Sequence, residues 1–172
     1  MLRTVRKVSP KSLENAALHY LGRFASSAEN LRRVLTRRVE RSARFHDIDR
    51  QEAAGWIDAL VGRFVKAGIL DDNAYTEARI VSLRRRGASS RAITANLRQK
   101  GLASDVVAAA LEGEDDDSEL SAAVALVRRR RLGPYRPEAD RREMHAKDMA
   151  VLARAGFSLD LARRVLTSVD LF

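Results

Sequence analysis

Leu97-Arg98-Gln99-Lys100-Gly101-Leu102-Ala103-Ser104-Asp105-Val106 returns 55 residues later as Leu152-Ala153-Arg154-Ala155-Gly156-Phe157-Ser158-Leu159-Asp160-Leu161. Ala110-Leu111 recurs as Val165-Leu166 at the same offset. Leucine, glycine, aspartate and the apolar positions keep their spacing, so the chain repeats one small unit. Working outward, Ile93 and Leu97 match Leu31 and Leu35 at an offset of 62. Apolar residues three or four apart in each stretch make the unit helical. Stacked helical units build long surfaces for polymers more readily than deep catalytic pockets.

The rest of the chain reads as helices with punctuation. Leu13, Ala17, Tyr20, Leu21 and Phe24 form an apolar face after Ser12, a candidate cap. Ser26-x-x-Glu29 has the spacing of a capping box before Leu31, Val34 and Leu35. Asp49-x-x-Glu52 opens a helix carrying Ile57, Leu60, Val61, Phe64 and Val65, the clearest amphipathic stripe, and Gly68 closes it as a left-handed cap. Asp71 or Asp72 caps a helix reaching Arg86 before Gly87. Ser89 or Ser90 opens the next, and Ser104 the one after. Gly133-Pro134-Tyr135-Arg136-Pro137 breaks the chain between helices of about 119–131 and 137–155, and a last helix covers about 159–168. No stretch reads as a strand. The expectation is an all-α protein of three tandem three-helix repeats: a flexible basic arm at 1–11, repeats at 12–68, 69–113 and 119–172, and an acidic hinge at 114–118. The third repeat lengthens ahead of its middle helix: Gly87 to Leu97 is ten residues, Gly133 to Leu152 nineteen.

Composition agrees with close-packed helices. Hydrophobic residues make up 45% of the 172 residues but aromatics only 5%, so Ala, Leu and Val must fill the core. The net charge is +9 and uneven: residues 1–50 hold 12 basic and 5 acidic groups, while residues 114–172 hold 11 of each. This predicts attraction to nucleic acid or an acidic protein surface. Cysteine is absent, which excludes disulfides and thiolate catalysis and fits a reducing cytoplasm. No 18-residue apolar run exists, so no membrane association is expected.

Several motifs taken together resemble the RecX family, bacterial regulators of the RecA recombinase. They are Gly68-Ile69-Leu70-Asp71-Asp72-Asn73-Ala74-Tyr75, Arg84-Arg85-Arg86-Gly87, Ile93-x-x-x-Leu97-x-x-Lys100-Gly101, Ala110-Leu111, and the closing Leu152-x-x-x-Gly156-Phe157. The similarity spans roughly 12–170, departing at an extended connector, Ser42 to Arg50, and at the dense acidic hinge. The resemblance implies tandem three-helix modules forming an elongated, curved body. It further implies a monomer that lies in the groove of the RecA–DNA filament, suppressing ATP hydrolysis, strand exchange and filament growth. No enzymatic activity and no cofactor are implied.

Candidate contact residues follow from the basic clusters. Arg84, Arg85 and Arg86 end one helix, and Arg128, Arg129, Arg130 and Arg131 end another at a matching place. Each run reads either as charge complementing a helix dipole or as a contact with RecA or DNA. Arg32, Arg33, Arg37, Arg38 and Arg41 surround the second helix, as solvated surface or as phosphate contacts. Arg91, Arg98, Lys100, Arg136 and Tyr135 complete the set, Tyr135 as a candidate exposed aromatic. Tyr20, Phe24 and Tyr75 read as core, and Trp56 as partly buried. Asp71-Asp72 read as caps rather than a metal or acid–base pair, and His19, His46 and His145 lack ligand spacing. Glu114 to Asp117 read as a solvated linker, or as a shield over a basic surface. The alternative function is a sequence-tolerant helical DNA-binding protein that competes for single- or double-stranded DNA. Enzymatic function is disfavoured, because no phosphate loop, nucleophile elbow or metal motif occurs.

Overall fold

The structure is a computed structural model that describes residues 6–115 and 117–167. Among these are nine α-helices and no strand: α1 (Pro10–Leu21), α2 (Ala28–Ala43), α3 (Arg50–Lys66), α4 (Asp72–Arg85), α5 (Ser90–Gln99), α6 (Ser104–Glu112), α7 (Ser118–Arg130), α8 (Glu138–Arg154) and α9 (Leu159–Thr167), with a 3-10 turn at Gly133–Tyr135. They form three consecutive three-helix sets. The described residues gather into two compact units. One holds residues up to Tyr75 together with Lys100–Leu102, and the other holds Thr76–Gln99 and the residues from Ala103 onward.

In the first unit α2 packs on α3 and both meet α1. Leu13, Leu31, Leu35, Ile57, Leu60, Val61 and Phe64 form its core. Val65, expected on the same stripe, is half exposed instead, because the fifth position rotates past the buried arc. In the second unit α7, α8 and α9 close around Leu126, Val127, Leu152, Phe157 and Val165. The repeat offset holds in burial: Leu97 and Leu152 are both fully buried, as are Leu31 and Ile93.

The helix starts differ from several expectations. Ser9, not Ser12, caps α1; Ser12 is the reciprocal partner, its hydroxyl accepting from the Ser9 amide at 2.8 Å. Val8 is buried, its amide donating to Ser42 Oγ while that hydroxyl donates to the Arg6 carbonyl, so residues 6–8 are tied to the first unit where a free arm was expected. Residues 1–5 of that arm lie outside the described residues. Ser27, not Ser26, caps α2, and Glu29 pairs with Arg33 rather than closing a capping box. Asp49 caps α3 and Asp71 caps α4, as read from sequence. Ser104 is the first residue of α6 rather than its cap.

A joint between repeats occurs twice, each time within one unit. Ser27 Oγ donates to the Lys100 carbonyl at 2.6 Å, and Ser89 Oγ donates to the Ala155 carbonyl at 2.6 Å. The amide beside each serine is met by a carboxylate from the next repeat's first helix: Ala28 N–H by Asp72 at 2.8 Å, Ser90 N–H by Glu119 at 2.9 Å. A free amide at the start of one middle helix is thereby satisfied by a carboxylate of the next repeat, and a free carbonyl at the end of the next middle helix accepts from the serine hydroxyl. Gly101 and Gly156 follow those carbonyls at φ 79° and 96°. A Cβ at Gly101 would lie 2.7 Å from Glu29 Cβ, and one at Gly156 would lie 2.6 Å from Ser89 Oγ. Close approach and left-handed backbone both demand glycine there. In the third repeat α8 starts after Pro137 without a capping side chain.

Candidate functional site

The first cationic surface is built by α2. Leu31, Leu35, Val39 and Ser42 are its buried row, which leaves Arg32, Arg33, Arg37, Arg38 and Arg41 on the remaining arc. Arg32 Nε meets Asp58 at 2.9 Å and Arg33 Nε meets Glu29 at 3.0 Å, so these two are partly neutralised. Arg37, Arg38 and Arg41 are exposed and have no carboxylate partner among the described residues. They border a groove of about 300 Å³ shared with α1 and floored by Tyr20 and Phe24. Sequence reasoning assigned Phe24 to the core. It lies beyond the end of α1 and is 54% exposed.

The second surface is the end of α4, and here the run Arg84-Arg85-Arg86 divides. Arg84 is only 12% exposed and serves the fold. Its Nε and Nη2 donate to Glu114, Nη2 to Ser90 Oγ at 2.7 Å, Nη1 to the Ala88 carbonyl at 3.1 Å, and Nη1 also to Glu119. Burial works against the charge, but the hydrogen bonds to Glu114 and Glu119 outweigh it and hold the guanidinium above its ordinary value. Glu114, read as part of a solvated hinge, is thus occupied; Asp116 lies outside the described residues. Arg85 and Arg86 remain exposed, without an ion-pair partner among the described residues. Arg91 and Arg98 are exposed on α5, and Lys100 is half-buried beside the joint.

The third surface is the end of α7. Arg128, Arg129, Arg130 and Arg131 are all exposed and form no ion pair among the described residues. Arg131 adopts a left-handed backbone, φ 53°, which ends the helix without glycine. Arg136 and Tyr135, expected as contacts, are engaged with the third repeat. Tyr135 is half-buried against its core. Arg136 forms a two-pronged pair with Asp148, at 2.9 and 2.8 Å, and Gly133 N–H donates to the same carboxylate at 2.9 Å.

Asp148 was missed, although a signal existed. The position filled by Leu31 in the first repeat and Ile93 in the second falls on Asp148 in the third, at the same 55-residue offset. It is 1% exposed. A carboxylate at a core position requires charged and hydrogen-bonding partners, and the nine inserted residues supply them by folding Gly133 and Arg136 back. Burial alone would raise the Asp148 pKa, but Arg136, the Gly133 amide and the more distant His145 lower it below its ordinary value.

Among the described residues no group of His, Asp and Glu could hold a metal ion, and no helix is long and apolar enough to cross a membrane. Among the described residues Arg37, Arg38, Arg41, Arg85, Arg86 and Arg128 to Arg131 have no carboxylate partner; a guanidinium is a group suited to bidentate contacts with phosphate or carboxylate.

The comparisons with known proteins agree with this architecture. Residues 71–111 match the family described as RecX, second three-helix domain. The chain is 48% identical to "Regulatory protein RecX" of Myxococcus xanthus (strain DK1622), over 95% of this chain and 88% of that one. It is 33% identical to the protein of the same name from Agrobacterium fabrum, over 88% and 80% of the two chains. The crystal structure of RecX from Lactobacillus salivarius superposes with a TM-score of 0.66, covering 95% of this chain and 97% of that one at 20% identity, a likeness of fold. A matching three-helix domain, near-full-length relatives and a shared fold lead to one conclusion: the chain belongs to the RecX family of regulatory proteins.

Proposed function

We propose that this protein restrains the RecA recombinase by lying in the groove of the RecA–DNA filament, where it suppresses ATP hydrolysis, strand exchange and filament growth. It acts in the bacterial cytoplasm as a monomer. The observation that carries the reading is the recurrence of unpaired arginines at the end of the first helix of successive repeats, Arg85–Arg86 on α4 and Arg128–Arg131 on α7. A periodic partner is met by a periodic set of cations, and weak contacts at each repeat multiply through effective concentration. Arg84 and Arg136 hold the fold, so the contact set narrows to Arg85, Arg86, Arg91, Arg98 and Arg128–Arg131, with Arg37, Arg38 and Arg41 on the first repeat.

The second reading is competition for DNA, favoured by the unpaired arginines of α2. The deciding experiment titrates the protein into preformed RecA filaments on single-stranded DNA, at two DNA concentrations, and follows ATP hydrolysis. Inhibition that tracks the RecA concentration and survives added DNA supports filament binding. Inhibition relieved by excess DNA would refute it and leave competition.

A further inference from the structure

We propose that the groove between α1 and α2 binds single-stranded nucleic acid, with Phe24 stacking on a base while Arg37, Arg38 and Arg41 take the backbone phosphates. The probe contains no recombinase, so this proposal stands or falls independently of filament binding.

Three observations converge on the groove. Phe24 presents over half its surface to solvent; Phe45 is also strongly exposed, but it does not line this groove, whereas Phe24 does. Its ring is held by neighbours: the Tyr20 ring lies 5.3 Å away at 41°, and the Arg23 guanidinium sits 5.8 Å above its face. Tyr20 is itself anchored, its hydroxyl accepting from Asn30 Nδ2 at 3.1 Å, and Asn30 Nδ2 also donates to Ser26 Oγ at 2.8 Å. The aromatic wall is therefore in place before any ligand arrives. Across the groove stand Arg37, Arg38 and Arg41, and no carboxylate lines it.

A cationic groove combined with an aromatic platform is the arrangement that tracks single strands, since every unpaired base offers a π-face. Duplex DNA keeps its bases stacked on one another and presents the ring only with a sugar–phosphate edge. An acidic protein segment would pair with the arginines and leave the ring face without a planar partner.

The test uses the full chain and a fluorescein-labelled oligothymidylate about 12 nucleotides long, read by anisotropy. Phe24→Leu keeps an apolar side chain but removes the π-face. It should weaken single-strand binding about tenfold and leave binding to a duplex of equal length unchanged. Phe24→Trp should restore affinity, and its added fluorescence should be quenched by the oligonucleotide. Three phosphate contacts give a log–log salt slope of about −2 for a single strand, and the double change Arg37→Ala and Arg41→Ala should flatten it to about −0.7. Unchanged urea midpoints would establish that the variants remain folded. Wild-type binding by Phe24→Leu overturns the proposal. So does polyglutamate that displaces the oligonucleotide as well as unlabelled oligothymidylate does, a result that would assign the groove to an acidic protein segment.

Discussion

Alanine at Gly101 should cost the first unit far more than alanine at Gly68, although both sites demand the same backbone. Their φ angles are 79° and 69°, so each substitution forces an L side chain into the left-handed region at about 1–2 kcal/mol. Around Gly68 nothing lies within 4 Å of a built Cβ, and that strain is the whole effect. At Gly101 the new Cβ meets Glu29 Cβ at 2.7 Å and Cγ at 2.2 Å. Glu29 Cβ is fixed on the first turn of α2, so the helix must retreat from Lys100. Retreat stretches the Ser27–Lys100 hydrogen bond, a loss of about 1 kcal/mol, and overpacking adds about 1–3 kcal/mol. The expected difference between the variants is therefore about 2–4 kcal/mol. Trp56, the chain's one tryptophan, is half-buried against the first unit's core, so its fluorescence reports that unit. With a urea m-value near 1–2 kcal/mol/M, the Gly68→Ala midpoint should fall by about 1 M and that of Gly101→Ala by about 1–4 M more. Equal midpoints for the two variants would show that close approach at the joint is not what the glycine provides.

Three other outcomes follow from the side-chain partners. Asp148 has its pKa lowered in the folded state, so its contribution is fully present above the ordinary aspartate range and is lost as pH falls from about 4 through the lowered folded value; Asp148→Asn should lower the Tm at pH 7 and the gap should narrow progressively as the pH falls below about 4, whereas a pH-independent gap would refute the charge argument. Arg84→Met leaves Glu114 and Glu119 facing each other without a cation and should destabilise the second unit by about 2 kcal/mol, discounted for partial exposure; thermal unfolding by circular dichroism checks this, and a wild-type Tm would return Arg84 to the list of contact residues. Changing exposed Arg85 and Arg86 together to Ala should leave the Tm within a degree or two while weakening inhibition of RecA ATP hydrolysis; normal inhibition would place the contact elsewhere.

Legibility in the sequence varied with the kind of residue. Leu31, Leu35, Ile93, Leu97 and Leu152 stand at the repeated apolar positions of the sequence, and all five are fully buried, because apolar periodicity is a local property of a helix face. Asp49 and the left-handed Gly68 were equally readable, since a cap needs only its own first or last turn. Among the serines the sequence misled. Ser9 and Ser12, or Ser26 and Ser27, are interchangeable by local rules, and between Ser26 and Ser27 the capping residue is the one whose hydroxyl also reaches a distant partner: Ser27 meets Lys100, 73 positions away. Arg84 looked identical to Arg85 and Arg86. Only the approach of Glu114 and Glu119, 30 and 35 residues further on, separates a buried ion pair from two exposed cations.

From the sequence alone came the helix content, the repeat with its offsets, the glycine stops and the excess of arginine. These rest on interactions within a few residues, where spacing and side-chain type suffice. Tertiary structure decided which hydroxyl caps, which arginines remain unpaired, and why an aspartate stands in a core position of the third repeat. Those outcomes depend on desolvation and on partners brought from far along the chain. A buried Asp148 is tolerable only because Arg136 and the Gly133 amide surround it, and no periodicity in the sequence encodes that encounter.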